Sequence, residues 1–197
     1  MFKELQTMGI KPQRIESDSV KKGGQTVLYH FSEEPGIKTF VPRKPPGRGG
    51  LPPVVWAVDK AHAHLYYFPR DCPRIVYAVS DGVSDADKRL LFGPGDSGTV
   101  IAIESAWLER LRETALYRYT FDERDFRLLD ATAGYYTAER QVTPLSVERE
   151  GDLLAKLAAT GAELRIVPNL HPLREALLAS SVSLFSVIRF RNAQPLR

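Results

Sequence analysis

Apolar positions fall in short runs broken by turn residues, with few long helical stripes. Four runs rich in β-branched and aromatic residues predict strands: "TVLYHF" (26–31), "VVWAVD" (54–59), "RIVYAVS" (74–80) and "TVIAIE" (99–104). "ALYRYTF" alternates at period two, and "RLLD" follows it as a further extended piece. The stretch 135–150, "YYTAERQVTPLSVERE", predicts a strand or hairpin, with Pro144 assigning it to an edge or a bulge. "ELRIVP" and "VSLFSVIRF" complete the set. Helical spacing is confined to four places. "KAHAHLYYF" suits a short helix entered at Asp59 and ended by Pro69, and "SAWLERLRET" a helix capped by Ser105. "GDLLAKLAATG" has Asp152 at its start and Gly161 as a stop, and "LHPLREALLASS" is the fourth. "DGVSDADKRLLFGPGDSG" is turn-rich with room for one helical turn. Strands do not alternate regularly with helices, so the predicted class is α+β rather than a doubly wound parallel sheet.

Two stretches lie outside these elements. Residues 1–24 are polar and end in Lys21-Lys22-Gly23-Gly24, which predicts a flexible extension ahead of a single domain over 25–197. "RKPPGRGGLPP" (43–53) holds four prolines and three glycines in eleven residues and predicts a long surface loop.

Composition narrows the function classes. The chain has 197 residues, 43% hydrophobic and 26% charged, as in an ordinary globular protein. A formal charge of +3 permits a phosphate-bearing partner without requiring one. The single cysteine, Cys72, excludes an internal disulfide and a cysteine-rich zinc site. No apolar run reaches the roughly 20 residues of a membrane span, so no membrane partner is expected and the expected location is the cytoplasm.

Several motifs bear on candidate chemistry. No G-x-S-x-G elbow supports a hydrolase triad. His62 and His64, two apart, point to different sides of a helix and so do not suit one ion, and no metal is expected. "FGPGDSG" has a G-x-G, but it precedes a strand instead of following one, which reads as a turn. "FPRDCPR" also reads as a structural turn. There a lowered thiol pKa for Cys72, between two arginines, stands against a plain buried thiol.

The remaining constellation is "YHFS", then "VVWAVDKAHAHLYY", then "TAERQVTP", in that order, with Trp56 and Tyr67 eleven positions apart. It resembles the histidine–tyrosine–glutamate branch of the ADP-ribosyltransferase superfamily. From residue 27 onward the chain also looks like a family of uncharacterised bacterial proteins with phrases such as "LYHFSEEPGI", "FPRDCPR", "ESAWLERL" and "VTPL". The superfamily resemblance implies split mixed or antiparallel sheets with short helices around them, and NAD as substrate. The implied function is cleavage of the nicotinamide–ribose bond and transfer of ADP-ribose to an acceptor. It makes Glu139 and His30 the catalytic pair, with Glu148 or Glu150 as alternatives to Glu139. His30, Ser32, Trp56, Tyr66, Tyr67 and Arg43 then hold the nucleotide, Arg43 being one of three phosphate candidates with Arg70 and Arg74. Where the branch has tyrosine, this chain has Trp56. The alternative is a non-catalytic module on the same fold that binds a nucleotide or RNA through the "RFRNAQPLR" tail and the Arg/Pro-rich loop. Locally, His30 also reads as a strand histidine with its ring nitrogens bonded nearby.

Overall fold

The computed structural model describes residues 26–45, 50–95 and 97–196. The extension assigned to 1–24 lies outside them. The class is α+β, with two sheets and short helices. Contacts group the described residues into two compact units, 26–67 with 115–151, and 68–114 with 152–196, where the sequence reading drew one domain over 25–197.

The first unit carries an antiparallel sheet in the order β6-β7-β2-β1-β5-β8. Its strands are β1 (Val27–Ser32), β2 (Val55–Val58), β5 (Leu116–Asp122), β6 (Arg127–Asp130), β7 (Tyr135–Ala138) and β8 (Ser146–Glu150). Period-two alternation places Leu28, Val55, Ala57, Tyr119, Phe121 and Ala138 in one core, closed by Phe40, Phe126 and Val142. Four of these nine buried residues are aromatic. The Phe40 ring stands edge-on to Tyr119 and Phe121 at 5.0 and 5.1 Å, and Phe126 lies 5.3 Å from Phe121. Residues 135–150 do not form a hairpin. β7 pairs with β2 and β8 with β5, on opposite sides of β1.

The second unit holds β10-β3-β4-β9, made of β3 (Arg74–Ala78), β4 (Thr99–Glu104), β9 (Glu163–Val167) and β10 (Phe185–Ile188). β4 is antiparallel to β3 but parallel to β9. The chain between β4 and β9 is long enough for a crossover connection and supplies half of the first unit on the way. Around the sheet are α1 (Asp85–Asp87), running into a wider turn over Lys88–Phe92, α2 (Leu108–Glu113), α3 (Leu153–Ala158) and α4 (His171–Leu178). Asp152, read at the start of that helix, caps α3, accepting from the Ala155 amide at 3.1 Å. Ser105 does not cap α2. It opens a 3-10 turn (Ser105–Trp107), and Trp107 precedes the helix with no side-chain cap. The fully buried Glu104 carboxylate accepts instead from the amides of Leu170 and Gln194, at 2.9–3.1 Å, fastening the start of α4 and the C-terminal segment.

"FPRDCPR" is held through its main chain. Its carbonyls accept from Arg74, Arg189 and Asn192 at 2.7–3.2 Å, while the Arg74 guanidinium lies 5.0 Å over the Phe68 ring. Arg74 is 4% exposed, which removes it from the phosphate candidates. Cys72 is fully buried, and burial pushes its thiol up to about 12, against the pull of Arg74 and Arg110. The lowered-pKa alternative is thereby overturned. Iodoacetamide at pH 8 is expected to label Cys72 only after unfolding. Because the folded pKa is raised from 9.0 to about 12, the thiol's contribution to stability is intact below pH 9.0 and lost as pH rises toward 12. Rapid labelling of the native protein at pH 8 would contradict this.

Candidate functional site at the β1–β2 seam

The two strands that carry the first motifs pair poorly. β1 and β5 are in register from Val27↔Asp122 to Ser32↔Tyr117, but β1 meets β2 only at Tyr29↔Val58. Alternate residues of a strand present their amides to the same edge. Along this edge of β2, Val58 faces β1 and Val54 exchanges two hydrogen bonds with Arg43, at 3.0 and 3.1 Å. Between them the Trp56 carbonyl bonds the His30 ring, Nδ1 to oxygen 2.9 Å. The imidazole therefore does the work of a missing strand donor, which explains a histidine in an apolar run. A carbonyl can only accept, so Nδ1 carries the hydrogen, and in the neutral ring Nε2 is the basic nitrogen.

The sequence-predicted residues near this seam are divided between the two faces of the sheet. His30 lies opposite the buried Tyr119 and packs edge-on to Phe40 at 4.9 Å, on the core side. Phe31, the next residue, points to the other side and meets the Tyr67 ring at 5.4 Å. Trp56 also lies on that other side, since Val55 and Ala57 take the core positions. Trp56 and Tyr66 both pack against Tyr135, at 5.7 and 6.4 Å. Tyr66 and Tyr67 leave a 3-10 turn (Ala63–Tyr66) in place of the short helix expected there. Ser32 turns locally and accepts from the Glu34 amide at 3.1 Å. The turn after it is pinned by Tyr119, whose hydroxyl donates to the Glu34 carbonyl at 2.6 Å and accepts from the Ile37 amide at 3.0 Å.

Glu139 is exposed in the bend directly after β7, not at the opening of a strand. Arg43, also exposed, and Glu139 flank the start of β2, Arg43 through its bridge to Val54 and Glu139 next to the pair Ala138↔Val55. The alternatives Glu148 and Glu150 lie on β8, with β5 between them and β1. Both carboxylates are engaged by Arg118, at 2.7 and 3.1 Å, and the Arg118 guanidinium lies 5.0 Å over Tyr29.

Sequence reasoning missed one pair. Asp59 accepts from both the His62 ring, at 2.7 Å, and the His62 amide, at 2.9 Å. Burial raises the Asp59 carboxyl, but the His62 hydrogen bonds lower it further and hold it below its ordinary value. Gly134 sits against the pair with φ +64°, its carbonyl accepting from the Asp59 amide at 3.1 Å. The D-x-x-H spacing was the available signal, and it is also an ordinary turn-capping pattern. His64 bonds the Ala61 carbonyl separately, and among the described residues no group of three or more His, Cys, Asp or Glu side chains could hold a metal ion.

Among the described residues no helix is long and apolar enough to cross a membrane. No curated protein and no solved structure matches the chain. A family model does match, over residues 29–193 of the 197, and the protein therefore belongs to DUF6886, a family of unknown function.

Proposed function

We propose that the β1–β2 seam binds NAD and that the protein cleaves the nicotinamide–ribose bond, passing ADP-ribose to an acceptor. The observation that carries this reading is the His30–Trp56 bond, which joins the first two motifs where the strands part, beside an aromatic cluster. In this reading one ligand is addressed by side chains carried on both faces of the sheet, His30 on one and Trp56, Tyr66 and Tyr67 on the other. His30 meets the ribose hydroxyls, with the ring orientation set by the Trp56 carbonyl. Trp56, Tyr66 and Tyr67 offer π-faces to the nicotinamide, and stacking of this kind contributes about 1–3 kcal/mol per base. Arg43, at the start of β2, is the cation for the pyrophosphate. As the bond breaks, the ribose becomes oxocarbenium-like, and the Glu139 carboxylate stabilises that charge and bonds the 2′-hydroxyl.

The test is titration calorimetry with NAD beside a nicotinamide-release assay on the wild type, H30A and E139Q. H30A is expected to weaken binding. E139Q is expected to bind NAD and lose roughly 10²–10³ in rate. Absence of NAD binding by the wild type, or equal cleavage by all three proteins, would end the proposal. The exposure of Glu139 favours a second reading, a nucleotide-binding module without turnover. It predicts binding that weakens with salt and no nicotinamide release.

A further inference from the structure

The Asp59–His62 pair has the geometry of a positioned base, and it stands beside the seam. His62 Nδ1 donates to Asp59 Oδ1 at 2.7 Å, so the neutral ring has its lone pair on Nε2. Among the described residues no group bonds Nε2, and the side chain keeps 29% of its surface open to solvent. Two features fix the ring. The Asp59 oxygen that takes the Nδ1 hydrogen also takes the His62 amide hydrogen. Gly134 lies so close that a Cβ there would stand 2.2 Å from Nδ1. The next residue, Tyr135, contacts Trp56 and Tyr66, so the pair borders the aromatic cluster through one peptide unit. A cap alone needs only the Asp59 oxygen and the amide; it does not require an imidazole held through Nδ1 with Nε2 left open.

We infer that His62 is the general base that activates the O–H nucleophile, water or a hydroxyl-bearing acceptor, in the reaction proposed above, and that Asp59 is its positioning residue. This rests on the NAD reading. In the step, the bond between C1′ and the nicotinamide nitrogen breaks, and its electron pair leaves with neutral nicotinamide. The nucleophile's oxygen forms a bond to C1′, and its proton passes to His62 Nε2 and then to water. With water as the nucleophile, NAD and water give ADP-ribose, nicotinamide and a proton. The charged and titratable groups around the pair are Lys60 and His64 on its own segment, and Tyr136 of β7 with its neighbour Glu123.

The experiment measures nicotinamide release against pH for the full chain, with NAD binding followed separately by calorimetry. H62Q is expected to lower kcat by roughly 10²–10⁴-fold, leave NAD affinity unchanged and abolish the loss of rate on the acid side. D59N is expected to lower kcat and keep NAD affinity. H64Q, outside the pair, is expected to keep the wild-type profile. H62A is expected to recover rate when imidazole is added, which a merely structural role would not produce. Wild-type rate and acid limb in H62Q, or no rescue of a folded H62A, would overturn the assignment to His62 while leaving NAD cleavage standing. A wild type that binds no NAD overturns both.

Discussion

Replacing Phe40 with alanine is expected to destabilise the folded chain by about 3–5 kcal/mol, the usual cost of removing a buried aromatic side chain. Phe40 is 8% exposed and lies outside any strand, yet its ring meets His30, Tyr119 and Phe121 edge-on within 5.1 Å. Each such pair contributes about 0.5–1.5 kcal/mol beyond the area buried. The main chain of Phe40 also exchanges hydrogen bonds with Val142 at 2.8 and 3.0 Å, which keeps residue 40 in place and limits how far the site can collapse around the void. The measurement is the denaturant midpoint at unchanged slope. Phe40→Leu, which fills most of the volume, should recover over half of the loss. Because the ring also buttresses His30, the NAD reading proposed above expects Phe40→Ala to weaken NAD binding even under conditions where the protein stays folded. A loss below about 1 kcal/mol, the range of surface substitutions, would mean that the aromatic core is not organised around Phe40.

Gly134→Ala is the second large effect, and it arises from two causes. The backbone is left-handed at φ +64°, which costs a side-chain-bearing residue about 1–2 kcal/mol. The new Cβ would also stand 2.2 Å from His62 Nδ1 and 2.7 Å from Asp59 Oδ2. The Asp59–His62 hydrogen bond must then open or the Gly134 turn must move, for a total of about 3 kcal/mol or more. The two causes separate in a double-mutant cycle. Removing the ring with His62→Ala relieves the clash but not the strain, so Gly134→Ala should cost less in that background. Equal cost in both backgrounds would show that the glycine is needed for its backbone angle alone. Acid unfolding gives a second readout. The Asp59 carboxyl is lowered in the fold, so it favours the native state above the ordinary carboxylate range and ceases to as pH falls through its folded value. The variant should lose that part of the acid transition.

The histidine in β1 illustrates how far the chain could be read in advance. Its place in a strand followed from the apolar run around it, since Val27, Leu28 and Phe31 leave no other regular element. Its hydrogen bond to Trp56, 26 residues away, could not be foreseen, because strand pairing is chosen by packing across the whole sheet. β4 shows the same division. "TVIAIE" was bounded to the residue by its own sequence, but its parallel pairing with β9 depends on a crossover of some 60 residues. Residues 135–150 were legible as extended and not as two strands on opposite sides of β1, because local alternation carries no information about partners. Asp59 and His62 were visible as residue types, but Gly134, which shapes their surroundings, comes from a turn between β6 and β7.

By itself, then, the sequence determined the α+β class, the location of most of the described strands and helices, and the residue types near the seam. These follow from local periodicity, turn chemistry and capping, which act over a few residues. Only the tertiary structure decided that β1 and β2 part after one registered pair, that Cys72 and Arg74 are buried, and that Glu148 and Glu150 are engaged by Arg118. The physical reason is that register, burial and ion pairing depend on groups brought together from distant parts of the chain, and their energies are set by the completed packing.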